Sequence, residues 1–382
     1  MEFYGRSTIS EFLSDNIAYR NLNPLDSRLP RLAELRASVR LPEQGIPRKT
    51  SVGYASLVSH LLKRARVLET PKTKINRLIF VGDTRLNDAT AFNNICAAGN
   101  WPGIAFICAE KIQDEPYYEI LKQEENRLLY LANRWELLKN FDNYLAQHDI
   151  YVDENTAIIL DLDKTCLGAR GRNDQVINQA RVEAAFATVQ DLIGDEFDSE
   201  AFRQSYDLFN EPEFHPFTTD NQDYLVYICL IVSAGLYERD QLAEDIRSGK
   251  VFRFDQFLID IQQQADQLPA GVHEIHEDVF GRIRQGDPTP FKAFRVQEYL
   301  ATVAHMGQLE TAAPMDERLS QEIVITQEVR EAAFRWRAQG ALLFGLSDKP
   351  DEASVPSEEL AVRGYQPIHR TETHAVGDRE GR

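Results

Sequence analysis

The chain has 382 residues, of which 43% are hydrophobic and 27% charged, so it can bury a substantial core and is neither disordered nor fibrous by composition. Its formal net charge of −18 disfavours a broad contact with the phosphate backbone of a nucleic acid. The N-terminus lacks a secretory signal, and the most apolar stretch, 224–237, is too short for a membrane helix. We expect a soluble, cytoplasmic protein with neither nucleic acid nor membrane as a partner, and the sequence does not indicate its oligomeric state.

The predicted elements of the two flanks alternate between strand and helix. A helix is predicted at 51–67, strands at 78–81 and 104–108, a helix at 117–147, and strands at 157–160 and 341–344. Each predicted strand is short, rich in branched or aromatic residues, and ends abruptly in polar or small residues. This alternation predicts an α/β fold with a doubly wound parallel sheet.

The long middle segment has helical patterns without a clear strand signal. Amphipathic helices are predicted there at 176–192, 199–209, 223–236 and 254–267. We therefore divide the chain into a first core part (1–172), a helical insertion (173–338) and a second core part with a tail (339–382). The polar segment 370–382 is predicted to be loose.

Acidic residues cluster where two of the predicted strands end. Asp161 and Asp163 leave the strand at 157–160 on alternate residues, and Gly82, Asp83 and, five residues later, Asp88 follow the strand at 78–81. In open α/β sheets, ligands bind outside the carboxyl ends of the strands. Closely placed carboxylates repel one another unless a cation lies between them, and Mg²⁺ prefers such oxygen ligands.

These segments resemble the motifs of the haloacid dehalogenase superfamily, most of whose members are phosphatases. Residues 159–165, ending in Asp161-Leu162-Asp163-Lys164-Thr165, are similar to its first motif, 344–347 to its second and 82–88 to its fourth, while Lys49 has the place of its third. The motifs run third, fourth, first, second, so the resemblance implies a circular permutation, which is possible when the termini of a domain lie close together. The resemblance covers about 45–172 and 338–370. It also implies that the helical insertion is a cap.

The resemblance implies a Mg²⁺-dependent phosphatase that hydrolyses a small phosphorylated metabolite. Asp161 would be the nucleophile that forms an aspartyl-phosphate. Asp163 would protonate the leaving oxygen and then take a proton from the attacking water. A phosphotransferase or phosphomutase with the same intermediate remains an alternative, as does a non-catalytic binding protein that retained the fold.

The resemblance also assigns the metal and the phosphate ligands. Mg²⁺ would be held by Asp161, by the backbone carbonyl of Asp163 and by Asp83, while Asp88 would either ligate the ion or orient the site. Phosphate binding would fall to Ser347, Lys49 and Thr165, with Lys349 as the rival of Lys49.

Other polar residues are predicted to have ordinary surface roles. Arg170 and Arg172 follow the first motif and are predicted to lie in a solvated loop, although they could meet an anionic substrate. The histidines, including His276 and His369, do not repeat a metal-binding pattern, so surface or capping roles are expected for them.

Overall fold

The structure is a computed structural model that describes residues 1–41, 45–123, 126–251 and 253–378. It divides into two compact units, each described by itself. The first unit comprises Met1–Glu43, Pro47–Gln179 and Thr302–Arg382, and the second comprises Gln44–Ile46 and Ala180–Ala301. The helical unit is therefore shorter than the predicted insertion 173–338. A helical pattern in the sequence does not reveal which core a helix packs against.

The first unit contains two sheets. In chain order, the strands are β1 (Glu2–Ser7), β2 (Ile17–Ala18), β3 (Arg77–Gly82), β4 (Gly103–Cys108), β5 (Tyr118–Lys122), β6 (Arg127–Ala132), β7 (Thr156–Asp161), β8 (Ile325–Thr326), β9 (Leu342–Leu346) and β10 (Thr373–Gly377). The larger sheet has seven strands in the order β2-β9-β7-β3-β4-β6-β5. All neighbouring strands in it are parallel except β5 and β6.

The four predicted strands form the centre of this sheet as β3, β4, β7 and β9. All six residues of β7 are buried, as are all six of β4, because helices cover both faces of a parallel sheet and favour uninterrupted apolar runs. The fold is therefore α/β, with a mostly parallel, Rossmann-like sheet.

Some of the helices belong to the first unit, and the others form the second unit. In chain order they are α1 (Ser10–Leu13), α2 (Leu32–Val39), α3 (Val52–Glu69), α4 (Asn87–Gly99), α5 (Leu138–Gln147), α6 (Asp174–Ile193), α7 (Ser199–Phe209), α8 (His215–Thr218), α9 (Gln222–Ser233), α10 (Arg239–Arg247), α11 (Phe254–Gln262), α12 (Ala270–Arg284), α13 (Lys292–Ala304), α14 (Met315–Gln321), α15 (Gln327–Ala338) and α16 (Glu358–Val362). None of the helices within the described ranges is long and apolar enough to cross a membrane.

The predicted helix at 117–147 is wrong in its first half. Residues there form the antiparallel pair β5 and β6, and α5 begins at Leu138. The spacing of Leu128 and Leu131 fits a helix face, but Leu128-Leu129-Tyr130-Leu131 is also a short apolar run that suits a strand beside β4. Asn126, with a φ of 63°, supplies the left-handed conformation that a turn between two strands uses.

The prediction that the tail 370–382 is loose is also wrong for most of the residues described there, 370–378. Thr373–Gly377 forms β10, which is fully buried and pairs with β1 and β8. The hydroxyl of Thr373 donates to the carbonyl of Ile323 (2.7 Å). Backbone pairing, together with burial of Ala375 and Val376, offsets the polar composition on which the prediction rested. Residues 379–382 lie outside the described residues.

The second unit has its own core of apolar side chains, many of them aromatic, contributed mainly by α7, α9 and α11. Buried charges in it are paired: Arg295 donates to Asp223 (2.9 Å) and also forms an ion pair with Glu298. The hydroxyl of Tyr227 lies 2.6 Å from Nδ1 of His276, which is buried rather than at the surface as predicted. The unit is thus a helical domain in its own right.

Candidate active site

Asp161 lies at the carboxyl end of β7, in the middle of the sheet. It pairs in register with Leu346 of β9, while β3 lies on the other side of β7. Its carboxylate is buried, and each oxygen accepts a hydrogen bond: Oδ1 from Nζ of Lys49 (2.6 Å) and Oδ2 from the hydroxyl of Thr165 (3.2 Å). Thr165, which is fully buried, therefore orients Asp161 in this structure. The carboxylate is held in one orientation by both partners.

Lys49 connects two of the acids. Its Nζ also donates to Oδ1 of Asp88 (2.6 Å). Burial alone would lower the pKa of Lys49, but the charges of Asp161 and Asp88 raise it well above its usual value, so the side chain is a cation. Lys49 is placed by the start of α3, where the side chain of Ser51 caps the helix by accepting from the backbone N–H of Tyr54 (3.1 Å).

Asp88, near the start of α4, is fixed by the turn that follows β3. Its Oδ2 accepts from the backbone N–H groups of Asp83 (2.9 Å) and Thr84 (2.8 Å) and from the Thr84 hydroxyl (2.9 Å). A Cβ at Gly82 would lie 2.6 Å from this oxygen, so glycine is what allows the carboxylate to approach the strand end. Asp88 thus accepts four hydrogen bonds, three of them at Oδ2, which is about the full capacity of a carboxylate and favours an orienting role over direct ligation.

Asp83 forms an ion pair with Arg170, which comes from the loop after β7. Burial, together with the charge of Asp88, raises the pKa of Asp83 to about 7, although Arg170 acts in the opposite direction. Arg170 is therefore a neighbour of the acidic cluster and not a residue of a solvated loop. The guanidinium of Arg170 offsets the negative charge of the Asp83 carboxylate.

The carboxylates of Asp83, Asp88 and Asp161 offer oxygen atoms that all lie within 4.8 Å of one another, and all three residues are buried. Burial raises the pKa of Asp161 well above its usual value, and the charges of Asp88 and Asp83 raise it further against the effect of Lys49. The cluster therefore holds more negative charge than its neighbours offset. Hard oxygen ligands with such an excess fit a divalent cation such as Mg²⁺.

Asp163 and Ser347, which follow β7 and β9, both line one cavity. Ser347 directly follows β9, and its Oγ accepts from the backbone N–H of Lys349 (3.0 Å). Nζ of Lys349 donates to the hydroxyl of Thr302 (3.0 Å). The two candidate lysines thus have different places: Lys49 lies among the acids, whereas Lys349 lines the cavity.

The structure also gives a role to Arg172, which the sequence predicts to lie in a solvated loop. Arg172 is buried, and its guanidinium donates to Glu110 (2.7 and 3.0 Å) and to Glu328 (3.0 Å). This ion-pair network fixes the loop after β7 to neighbouring elements. Its partners are 62 and 156 residues away in sequence, so no local pattern could indicate it.

No protein-family model matches this chain, and neither does any curated protein or solved structure. The site is therefore interpreted from its own geometry and chemistry.

Proposed function

We propose that this chain is a divalent-cation-dependent phosphatase that hydrolyses small phosphate monoesters through an aspartyl-phosphate on Asp161. The observation that carries the proposal is the convergence of Asp161, Asp83, Asp88 and Lys49 at the carboxyl ends of β7 and β3. These residues come from segments far apart in the chain, and a structural turn would not require three neighbouring buried acids with a lysine bonded to two of them. Such clusters of perturbed ionisable groups are typical of active sites.

The strand order supports the resemblance to the haloacid dehalogenase superfamily as part of this proposal. The strand before the first motif, β7, lies between β9, which precedes the second motif, and β3, which precedes the fourth. A circular permutation changes chain connections and leaves such contacts in place. The neighbouring positions of these three strands are therefore what a permuted member of that superfamily needs.

In the first step, a carboxylate oxygen of Asp161 attacks the phosphorus of the ester, and the bond from phosphorus to the leaving oxygen breaks. Asp163 gives its proton to that oxygen, so the alcohol leaves neutral. Lys49 and Thr165 hold the carboxylate of Asp161 in place for the attack. Ser347 follows the neighbouring strand and is available to donate to a phosphoryl oxygen.

In the second step, water attacks the phosphorus of the acyl phosphate while Asp163 takes a proton from the water. The bond from phosphorus to Asp161 breaks, which returns the carboxylate and releases inorganic phosphate. A bound Mg²⁺, held by Asp161, Asp83 and the backbone carbonyl of Asp163, would offset the negative charge of the phosphoryl group. Asp88 keeps Lys49 and the turn after β3 in position throughout.

The test is Mg²⁺-dependent release of phosphate from p-nitrophenyl phosphate. We expect Asp161→Asn to abolish turnover and Asp163→Asn to lower kcat by about 10²-fold to 10⁴-fold, the usual contribution of a general acid–base group. The matched control is Asp114→Asn, which makes the same chemical change at an exposed position. Turnover that persists in Asp161→Asn rejects the proposal.

A covalent intermediate can be detected directly. The aryl leaving group needs little help from an acid, so Asp163→Asn should slow the attack of water more than the first step. We expect a phosphorylated peptide containing Asp161 in Asp163→Asn after acid quench, and none in the double variant with Asp161→Asn. Transfer of labelled phosphate to an added alcohol instead of water would assign the chain to the phosphotransferases.

A further inference from the structure

The side chain of Arg170 contacts the acidic cluster with most of its hydrogen-bonding capacity unused. A guanidinium has five N–H donors. The Nε of Arg170 donates to Oδ2 of Asp83, whereas its terminal nitrogens Nη1 and Nη2 have no acceptor within the described part of the protein. The Arg170 side chain is 35% exposed, against 6% for Asp83. Four N–H donors of the guanidinium therefore remain for a ligand that arrives from solution.

Arg172, two residues further along, shows how an arginine with a structural role is bonded in this protein. All three of its guanidinium nitrogens donate to carboxylates, which belong to Glu110, Glu328 and Asp378, and its side chain has no exposed surface. Buried ion pairs need such saturation because an unused donor away from water is costly. Arg170 differs in both its bonding and its exposure, which is the pattern expected of an arginine that receives a ligand.

The backbone of Arg170 is held in place by several contacts. Its N–H donates to the carbonyl of Lys164 (2.8 Å), and its carbonyl accepts from the N–H of Glu110 (3.0 Å) and from Nε1 of Trp135 (3.3 Å). Gly171 follows with a φ of 79°, and a Cβ there would collide with the carbonyl of Glu110. A ligand that binds Arg170 therefore avoids most of the entropy cost of ordering a loop.

The charges around Arg170 indicate which ligand suits its donors. Lys49 already donates to Asp88 and Asp161, so its charge is engaged by the acids. When ionised, the three acids of the cluster carry one negative charge more than Lys49 and Arg170 offset, and a bound divalent cation would make the total positive. A positive site with free guanidinium donors fits a phosphate group, whose oxygens match the planar fork of arginine. Without Arg170, the cation would leave the same site neutral.

We propose that Arg170 is a phosphate-binding residue of the candidate active site, anchored to Asp83 by Nε and donating to phosphoryl oxygens through Nη1 and Nη2. The anchor leaves Oδ1 of Asp83 for a cation, since this oxygen accepts no hydrogen bond from any residue that the structure describes. The inference deepens the proposed phosphatase function and rests on it for the origin of the phosphate group. Arg170 then has opposite effects on two ligands: its charge repels the cation, and its donors attract the phosphate.

Isothermal titration calorimetry measures the two ligands separately, with Mg²⁺ alone and then with inorganic phosphate at saturating Mg²⁺. In Arg170→Met, we expect Mg²⁺ to bind about threefold to tenfold more tightly, because a neighbouring positive charge is gone. Phosphate should bind about tenfold to hundredfold more weakly, the value of a hydrogen bond between charged groups. The matched control Arg85→Met removes the same charge from an exposed position in the turn after β3 and should change each affinity by less than about twofold.

A second variant, Arg170→Lys, separates the guanidinium geometry from its charge. Lysine keeps the positive charge but lacks the fork that serves a carboxylate and a phosphate together. The affinity for Mg²⁺ should therefore stay within about twofold of the wild type, while phosphate binding still weakens by about tenfold. Circular dichroism checks that each variant is folded, and if Arg170→Met does not fold, the phosphate affinity of Arg170→Lys decides.

Phosphate affinity that is unchanged in both Arg170 variants, or that falls equally in Arg85→Met, overturns the inference, as does a wild type that binds no phosphate. Turnover of p-nitrophenyl phosphate in the same samples separates the two proposals. Turnover with unchanged phosphate affinity leaves the phosphatase proposal standing and makes Arg170 a structural residue. The expected binding pattern without turnover supports the role of Arg170 in anion binding, while the phosphatase proposal fails.

Discussion

Replacing Lys49 with methionine tests the electrostatic account of the acidic cluster. The substitution keeps the length and the apolar part of the side chain but removes the cation that lies 2.6 Å from both Asp161 and Asp88. At an effective dielectric constant of about 20, each contact is worth about 6 kcal/mol before desolvation. Dehydrating the lysine and the acids offsets much of this, so we expect a net loss of about 3–5 kcal/mol in the free energy of unfolding.

The loss should depend on pH in a defined direction. Without Lys49, the pKa of Asp161 rises further above its unfolded value, so the folded variant binds protons that the unfolded chain does not. Its stability therefore falls as pH rises. The difference between variant and wild type should be larger at about pH 8 than at about pH 5.

The assay is urea unfolding of the wild type, Lys49→Met, Asp88→Asn and the double variant, with the exposed Lys72→Met as the control. Because Asp88 and Lys49 are in contact, the double variant should be more stable than the sum of the single losses predicts, by about 0.5–3 kcal/mol. Strict additivity, or a loss in Lys49→Met no larger than in Lys72→Met, would refute the reasoning.

Three further predictions concern single positions. Gly82→Ala should lower the free energy of unfolding by about 1–3 kcal/mol, because the new Cβ meets the carboxylate of Asp88, and urea unfolding measures it. Saturating Mg²⁺, at about 100 times its dissociation constant, should stabilise the wild type by about 2.7 kcal/mol and Asp83→Asn far less in thermal unfolding. Burial lowers the pKa of His276 below its usual 6.5, so the unfolded chain is protonated first as pH falls. Stability should therefore decline below about pH 6.5 in the wild type relative to His276→Gln, in urea titrations at several pH values.

The sequence predicted the centre of the sheet well because its strands are buried on both faces. Such strands are short apolar runs with abrupt polar ends, and β3, β4, β7 and β9 all have this form. Two other strands lack this form. β5, at an edge of the larger sheet, is exposed or half-buried along its whole length, and β10 is defined by pairing with residues near the N-terminus, so neither has a local signature.

The residues of the site likewise divide into those with a local sequence signature and those that depend on distant contacts. The places of Asp161 and Asp83 follow from the ends of their strands, since parallel strands bring their carboxyl ends to one edge. The contacts of Lys49 with Asp161 and Asp88 depend on how α3 packs, and the sequence could offer only the position of Lys49 before that helix.

Two contacts between residues far apart in the chain had no local signature at all. Arg170 pairs with Asp83, which is 87 residues away. His369, which is buried rather than at the surface as predicted, lies beside Asp15, 354 residues away.

The position of β9 within the sheet has a consequence for synthesis of the chain. β9 fills the place between β2 and β7, yet β7 ends at Asp161 and β9 begins only at Leu342, 181 positions later. At about 5–20 residues per second, a ribosome needs about ten to forty seconds to make this stretch. Throughout that interval one side of β7 has an open backbone edge, the kind of surface that recruits foreign strands. The nascent protein is therefore most exposed to aggregation, and most in need of a chaperone, after the sheet has begun to form and before its last central strand has emerged.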